Sequence, residues 1–469
     1  MKLITLLILI CIATVCATAQ MTMPTYLYPV TNTLGRHFPK ITRAPDGTLV
    51  LSYATKDHSM ALFYVTLSTD GGTTWSAERR FMDSPFGVIT LQRQTYAIMD
   101  NKGVLHGLGM SNIGGVMNQF YTRSEDRGLT WTPPIKAKSA SDMRHQDFGS
   151  IAVDSSGTIY ISYISNNTNT ADQNTHDFVV RSTTNGTTWL PEVRVDNFPV
   201  GGSCECCTQN IEVGPNGEVA IAFRSNLNNR RDIHVARSND GGNTFSTPVN
   251  IQSAMWMIGG CPATGPALKY DRTGMLHVSW RDARSQSEPG TCFYAALPAG
   301  STMTPVNINL SKGFSEDAEY PVVAVSEDGQ GIAVTWENPM GVYIATSRDG
   351  GVTFEKDTLQ ANMNAYPNVN PVWTESGPFA VWQTSRGTTT DIAFETSAVT
   401  SGVDDTNNEF LEAANAGEIL ERRIYDVMGR LLASSGTNFD IGTLLPNPPA
   451  LYYIVDLSRS SRVSRGTFR

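Results

Sequence analysis

Ser68-Thr69-Asp70-Gly71-Gly72-Thr73-Thr74-Trp75 is the stretch on which the fold turns, because it recurs. The same pattern returns as Ser124-Glu-Asp126-Arg-Gly128-Leu-Thr-Trp131, Ser182-Thr-Thr-Asn185-Gly186-Thr-Thr-Trp189, Ser238-Asn-Asp240-Gly-Gly242-Asn-Thr-Phe245 and Ser347-Arg-Asp349-Gly-Gly351-Val-Thr-Phe354. These are Asp-boxes. An Asp or Asn caps a tight hairpin turn by bonding its own backbone, a Gly supplies positive φ, and the Trp or Phe plugs between neighbouring strands. The box residues are therefore structural and receive no catalytic role.

Outward from each box lies a longer unit: an apolar strand, a Gly turn, a second strand ending in an aromatic, a loop, a third strand, the box and a fourth strand. Its first strands fall at Ile41, Ile98, Ile151, Ile211, Leu268, Val323 and Val369, spaced by 57, 53, 60, 57, 55 and 46 residues. Such a period denotes an all-β propeller. The count gives seven blades, with six as the alternative. The last unit ends near Phe394 without a box or a fourth strand, and Tyr26–Val30 is an orphan strand that can close the ring. Closure removes edges that invite aggregation.

Asp-boxes in a propeller make residues 20–397 resemble the sialidase superfamily, whose sialidases usually carry six blades. The resemblance implies an exo-sialidase or related glycoside hydrolase acting on extracellular glycans; the alternative is a non-catalytic glycan-binding or metal-binding propeller at the cell surface. In the superfamily three arginines hold a sugar carboxylate, a Glu-activated Tyr is the nucleophile and an Asp is the general acid. Carried over, this implies Arg224 and Arg281 for the clamp, Glu337 as the carboxylate partner, Tyr320 or Tyr366 as nucleophile and Asp57 as acid. The motif departs at the first arginine, where Arg36-His37-Phe38-Pro39 stands in place of Phe-Arg-Ile-Pro, so that either His37 replaces the arginine or Arg36 is displaced by one. One residue along a strand turns a side chain to the opposite face.

The residues themselves place this chemistry on one face. In each blade the start of the first strand and the end of the second share an edge, and the boxes lie on the other. Second strands end in Ala54, Met110, Ile164, Arg224, Arg281, Glu337 and Gln383, and the last four each follow Phe or Trp. Two arginines in adjacent blades form a fork suited to a carboxylate or sulfate. Beside them fall Cys204-Glu205-Cys206-Cys207, Cys261 and Cys292. Their disulfide reading is a staple from Cys261 to the Cys204–Cys207 turn; their metal reading is a thiolate site at Cys204, Cys206, Cys207 and Cys261 for copper or zinc.

The termini read as addresses. Residues 1–19 carry one Lys, an apolar run to about Val15 and Ala17-Thr18-Ala19, which is a secretory signal peptide. Residues 398–408 are a linker. Residues 409–469, with Ile424-Tyr-Asp-Val-Met-Gly429-Arg430, Leu444-Leu-Pro446 and Arg465-Gly-Thr-Phe468, read as a small β-sandwich. That tail resembles the type IX secretion sorting domain of Bacteroidetes-type bacteria, which implies secretion to the cell surface and the type IX machinery as a partner; it departs at Pro446-Asn-Pro-Pro449, where the family commonly has Gly, and the alternative is a plain carbohydrate-binding sandwich.

Composition fits an exported globular protein. Of 469 residues 40% are hydrophobic and 17% charged, and the net charge is -9. With 35 basic residues scattered among 44 acidic ones, no basic face exists for a nucleic acid.

Overall fold

The computed structural model describes residues 25–29, 32–57, 60–83, 96–166, 175–284, 290–314, 317–361, 363, 367–396, 419–426, 431–435, 452–458 and 463–468. The segments read as a signal peptide, 1–19, and as a linker, 398–408, lie outside them. The chain divides into two compact units, Met1–Ala398 and Val399–Arg469.

The first unit is a seven-bladed β-propeller. Its blades begin with His37–Arg43, Tyr96–Met99, Asp147–Val153, Asn210–Val213, Ala267–Tyr270, Glu319–Val325 and Asn370–Thr374, and each continues as an antiparallel meander. Six blades draw their strands from consecutive sequence, and the fourth adds a short fifth strand, Gly202–Ser203, paired with Ser225 and Asn226. The seventh takes Thr25–Tyr26 as its outer strand, with Thr25 opposite Phe394 and Tyr26 opposite Ala393. The orphan strand thus closes the ring, as its position in the sequence implied. Val369 stands one residue ahead of its strand.

The boxes explain why the blades stack. In the first, Asp70 Oδ1 accepts from the backbone N–H of Thr74 at 2.9 Å, Thr74 Oγ1 donates to Asp70 Oδ2 at 2.6 Å, and Gly72 N donates to Ser68 Oγ at 2.9 Å. Its aromatic crosses to the preceding blade: Trp75 meets Phe379 at 6.2 Å between ring centroids, Trp131 meets Phe81 at 5.3 Å, and Trp189 meets Tyr121 at 5.6 Å. The third box corrects the reading of Asn185. Thr184 takes the capping place, its Oγ1 receiving Thr188 N at 3.1 Å, and Asn185 occupies the left-handed position at φ 55°.

Second-strand aromatics fill the spaces between blades. Phe223, Trp280, Trp336 and Trp382 are all buried. Trp280 stacks on Phe293 and Trp336 on Tyr343 within their own blades, while Trp280 packs with Ala222 and Val235 of the fourth blade and Trp336 with Cys292 and Tyr294 of the fifth. Burial of such rings, at roughly 25 cal/mol per Å² of apolar area, is the main attraction between neighbouring blades.

In the second unit the described residues form one antiparallel sheet, in the order Leu431–Ser435, Ile419–Asp426, Tyr452–Ser458 and Val463–Phe468. The expected sandwich is, among the described residues, a single four-stranded layer.

Candidate functional site

Seven first strands surround the ring axis and enclose a cavity of about 490 Å³. Every blade contributes to its wall, among them Lys40, Ile98, Ser150, Asn210, Leu268, Tyr320 and Asn370. At its mouth, opposite the box edge, the backbone is irregular in a repeated way. Phe38, Phe148, Tyr320 and Asn368 have φ of 55°, 55°, 49° and 52°, and all sit at or just before the start of a first strand. In the first, third and sixth blades a register shift accompanies this residue, between His37 and Lys40, Asp147 and Ser150, and Glu319 and Val322. A bulge re-aims side chains, and left-handed aromatic residues hold strain that gathers at functional sites.

The mouth is polar. Gln209 donates from Nε2 to Phe148 O at 2.6 Å, while its buried Oε1 has no hydrogen-bond partner among the described residues. Asn370 spans two blades, donating to Pro39 O at 3.0 Å and accepting from Lys40 Nζ at 3.1 Å. Burial pushes the Asp147 carboxyl above its usual range, and the nearby His145 works against that rise. Sequence reasoning missed the bulges; the repeated charged-or-His, aromatic, Pro-or-Gly triplets at 37–39, 147–149 and 319–321 are the signal that marks three of them.

The two arginines of the expected fork behave differently. Arg224 is buried, and its guanidinium donates to three backbone carbonyls: Thr264 at 3.1 Å, Arg231 at 2.7 Å and Arg281 at 2.8 Å. It bolts blade 4 to blade 5 and lies over Trp256, 4.9 Å from the ring centroid. Arg281 faces Asp317 at 3.4 Å, and its buried Nε has no hydrogen-bond partner among the described residues. Arg36, the other candidate for the clamp, is spent on Glu78 at 2.7 Å and Asp391 at 2.8 Å. These three arginines therefore do not converge on one pocket as free cations.

Two of the remaining residues of the implied catalytic set, Tyr320 and Glu337, belong to paired strands of the sixth blade. Glu337 is fully buried, lies across the strand pair from Glu319, and accepts from Val369 N at 2.7 Å. Tyr320 lines the cavity. Asp57 ends its strand opposite Met60. Tyr366 lies outside the described residues.

The cysteines form the densest chemical cluster. Cys206 is bridged to Cys261, as the staple reading required. Cys204 and Cys207 are buried thiols with Sγ atoms 2.8 Å apart, and Cys204 Sγ is 3.7 Å from Cys206 Sγ. The hydrogen bond with Cys207 holds the Cys204 thiol down at about 7, with Cys206 N–H, Arg231 and Arg224 acting the same way against burial. Burial pushes Cys207 well up. Cys292 departs from expectation: it is buried in the core between blades 5 and 6, with Leu310, Val323 and Trp336, and takes no part in the cluster.

All four clustered sulfurs lie within 4.8 Å of one another, a compact soft-ligand set of the kind copper or zinc accepts. With Cys206 and Cys261 joined, only two thiols remain for an ion. The four-sulfur site fits a metal in the reduced chain alone.

Beside the cluster a second buried group stands out. Ser203 bridges two carboxylates, Asp177 and Asp196, and His176 Nδ1 lies 2.8 Å from Asp196 Oδ2. Burial, with the neighbouring Asp196 charge, pushes the Asp177 pKa well above its ordinary value.

The profile of the BNR repeat-like domain matches residues 32–330. No curated protein matches the chain. Among solved structures it resembles a Dyadobacter fermentans protein of unknown function, at 16% identity and a TM-score of 0.46 over 72% of this chain and 97% of that one. It also resembles the polysaccharide lyase Uly1, at 9% identity and a TM-score of 0.50 over 81% and 94%. A third is the intramolecular trans-sialidase from Ruminococcus gnavus, at 11% identity and a TM-score of 0.44 over 73% and 99%.

Proposed function

The chain belongs to the BNR repeat-like family, and from that premise we propose that it is an extracellular glycan-binding propeller whose recognition surface is the mouth of the axial cavity. Export follows from residues 1–19, and surface delivery from a sorting tail at 409–469 that engages the type IX machinery. One observation carries binding over exo-sialidase chemistry. Arg224 and Arg36 spend their guanidinium groups on the protein's own oxygens, so the carboxylate clamp lacks two of its cations. What the mouth offers instead is amide and hydroxyl chemistry, with Gln209 Oε1 as a buried acceptor in want of a donor. A concave site with a few placed polar groups suits the hydroxyls of a sugar. The polysaccharide named for Uly1, whose ring this fold shares, supports the same reading.

The test uses the full-length protein with the leader removed, titrated against immobilised neutral, sulfated and sialylated oligosaccharides. Gln209→Leu keeps the volume and removes the acceptor. It should weaken binding about three- to tenfold, the worth of one neutral hydrogen bond, and also lower stability by about 1 kcal/mol, because Phe148 O loses its Nε2 donor. Turnover of a sialoside reporter would overturn the binding reading and return Arg281, Glu337, Tyr320, Tyr366 and Asp57 to the catalytic roles that the superfamily resemblance implies. Deleting 404–469 in the native host should leave a folded propeller held in the periplasm; normal surface display would overturn the sorting tail.

A further inference from the structure

The sulfur cluster is unused by glycan recognition, and its arrangement is specific. Cys204 and Cys207 are spaced as Cys-x-x-Cys in a single turn before blade 4, and between them sits Cys206, bridged to Cys261 in the connection into blade 5. A buried dithiol is thus packed against a disulfide, with Cys204 Sγ 3.7 Å from Cys206 Sγ and 2.8 Å from Cys207 Sγ. Cys261, the other end of the bridge, is exposed. Two close contacts hold the loops in this register: Gly265 lies so near Thr208 that a Cβ would stand 1.6 Å from its carbonyl oxygen, and Arg224 donates to Thr264 O.

We propose that these four cysteines are an internal thiol–disulfide exchange site, which moves one bridge between the interblade pair Cys206–Cys261 and the local pair Cys204–Cys207. In the first step the Cys204 thiolate attacks Cys206 Sγ. The Cys206–Cys261 bond breaks, and Cys261 leaves as a thiolate that takes up the proton Cys204 gave to water. In the second step Cys207, as thiolate, attacks Cys204 Sγ. The transient Cys204–Cys206 bond breaks, and Cys206 leaves and is protonated in turn. One S–S bond is lost and one gained, two thiols are consumed and two released, and no outside oxidant or reductant takes part. Exchange therefore unlatches blade 4 from blade 5 while conserving the oxidation state of the protein.

Linkage mapping on the full-length protein decides this. Protein holding two thiols and one bridge in the cluster, prepared where necessary with one equivalent of a phosphine, is incubated at neutral pH, quenched in acid, alkylated in denaturant and cleaved after Lys and Arg. The Cys206–Cys261 form ties peptide 195–224 to peptide 238–269, whereas the Cys204–Cys207 form leaves them separate with one alkyl group on each. Both forms should be found, at a ratio that is the same on approach from either side. Cys204→Ser should cut the separated fraction about tenfold or more, since the first nucleophile is gone. Cys207→Ser should accumulate the Cys204–Cys206 linkage. The tied form alone in wild type at all times would overturn the proposal, and that measurement needs no variant. So would a cluster of four thiols carrying one equivalent of copper or zinc.

Discussion

The two edges of the propeller solve the same chain-reversal problem in opposite ways. At the box edge a four-residue device repeats, and its polar groups are answered within the turn: Ser68, Asp70, Gly72 and Thr74 satisfy one another. At the opposite edge the partners come from afar. Arg224 needs carbonyls from Thr264, Arg231 and Arg281, and Cys206 needs Cys261. Local satisfaction can be copied from blade to blade, and it was copied five times. Distant satisfaction is particular to one place in the ring, which is where specific chemistry can be built.

The largest expected effect lies on the distant side. Replacing Arg224 with Ala should remove a buried cation, strand three carbonyls and open a cavity, costing about 3–5 kcal/mol in chemical denaturation of the full chain. Lys should recover only part, because one ammonium cannot span three acceptors held by a planar fork. An Arg224→Ala protein of parent stability that has lost its ligand would break the comparison and restore the clamp.

Within one box the two glycines sharpen it. Gly71 and Gly72 both have positive φ, 71° and 95°, yet a Cβ at Gly71 meets nothing within 4 Å, whereas one at Gly72 stands 2.5 Å from the Phe379 ring. Gly71→Ala should cost about 1 kcal/mol of left-handed strain, and Gly72→Ala about 2–4 kcal/mol, since it adds a collision with the preceding blade. Equal losses, read from urea midpoints, would mean that the boxes only turn the chain and do not set blade spacing.

This division also decides what the sequence could tell. Blade period, box and closing strand are local or periodic signals, and each is written in contiguous residues. The Cys261 staple was legible because covalent chemistry limits a cysteine to few partners. Arg224 was misleading: its place beside Arg281 at a strand end is local and was read correctly, but its burial depends on carbonyls up to 57 residues away. Asn185 misled for a smaller reason, since Asn serves both capping and left-handed positions, and Thr184 already held the cap.

Acid should separate the edges next. His234, in blade 4, packs between Phe198 and Phe223, and burial lowers its pKa to about 4. A histidine that resists protonation when folded binds fewer protons than its unfolded counterpart, so stability falls as the pH drops from about 6.5 to about 4, by about 3 kcal/mol when complete. His234→Gln should remove that part of the acid slope. Because burial also lowers the pKa of His277, the readout is the difference between wild type and variant at pH 7 and pH 4.5. No difference would show that the aromatic sandwich opens to water before His234 titrates.

The smallest effect tests whether a box is as self-contained as its geometry implies. The third box alone caps with Thr184, which offers one oxygen where Asp70, Asp126, Asp240 and Asp349 offer two. In those four the second oxygen receives a threonine hydroxyl, and at Asp70, Asp126 and Asp349 the hydrogen bonds hold the carboxyl at about 2. Thr188 stands ready to supply the same hydroxyl, already 2.7 Å from Thr184 Oγ1. Thr184→Asp should therefore raise the unfolding midpoint slightly at neutral pH. Its sign with acidity follows from linkage: a carboxyl whose pKa is lowered by folding stabilises above the unfolded value near 4, and the gain fades as the pH falls toward 2. A gain that persists in acid would come from something other than the charged cap, and a loss at neutral pH would mean that the repulsion of a net negative chain outweighs what one turn can satisfy by itself.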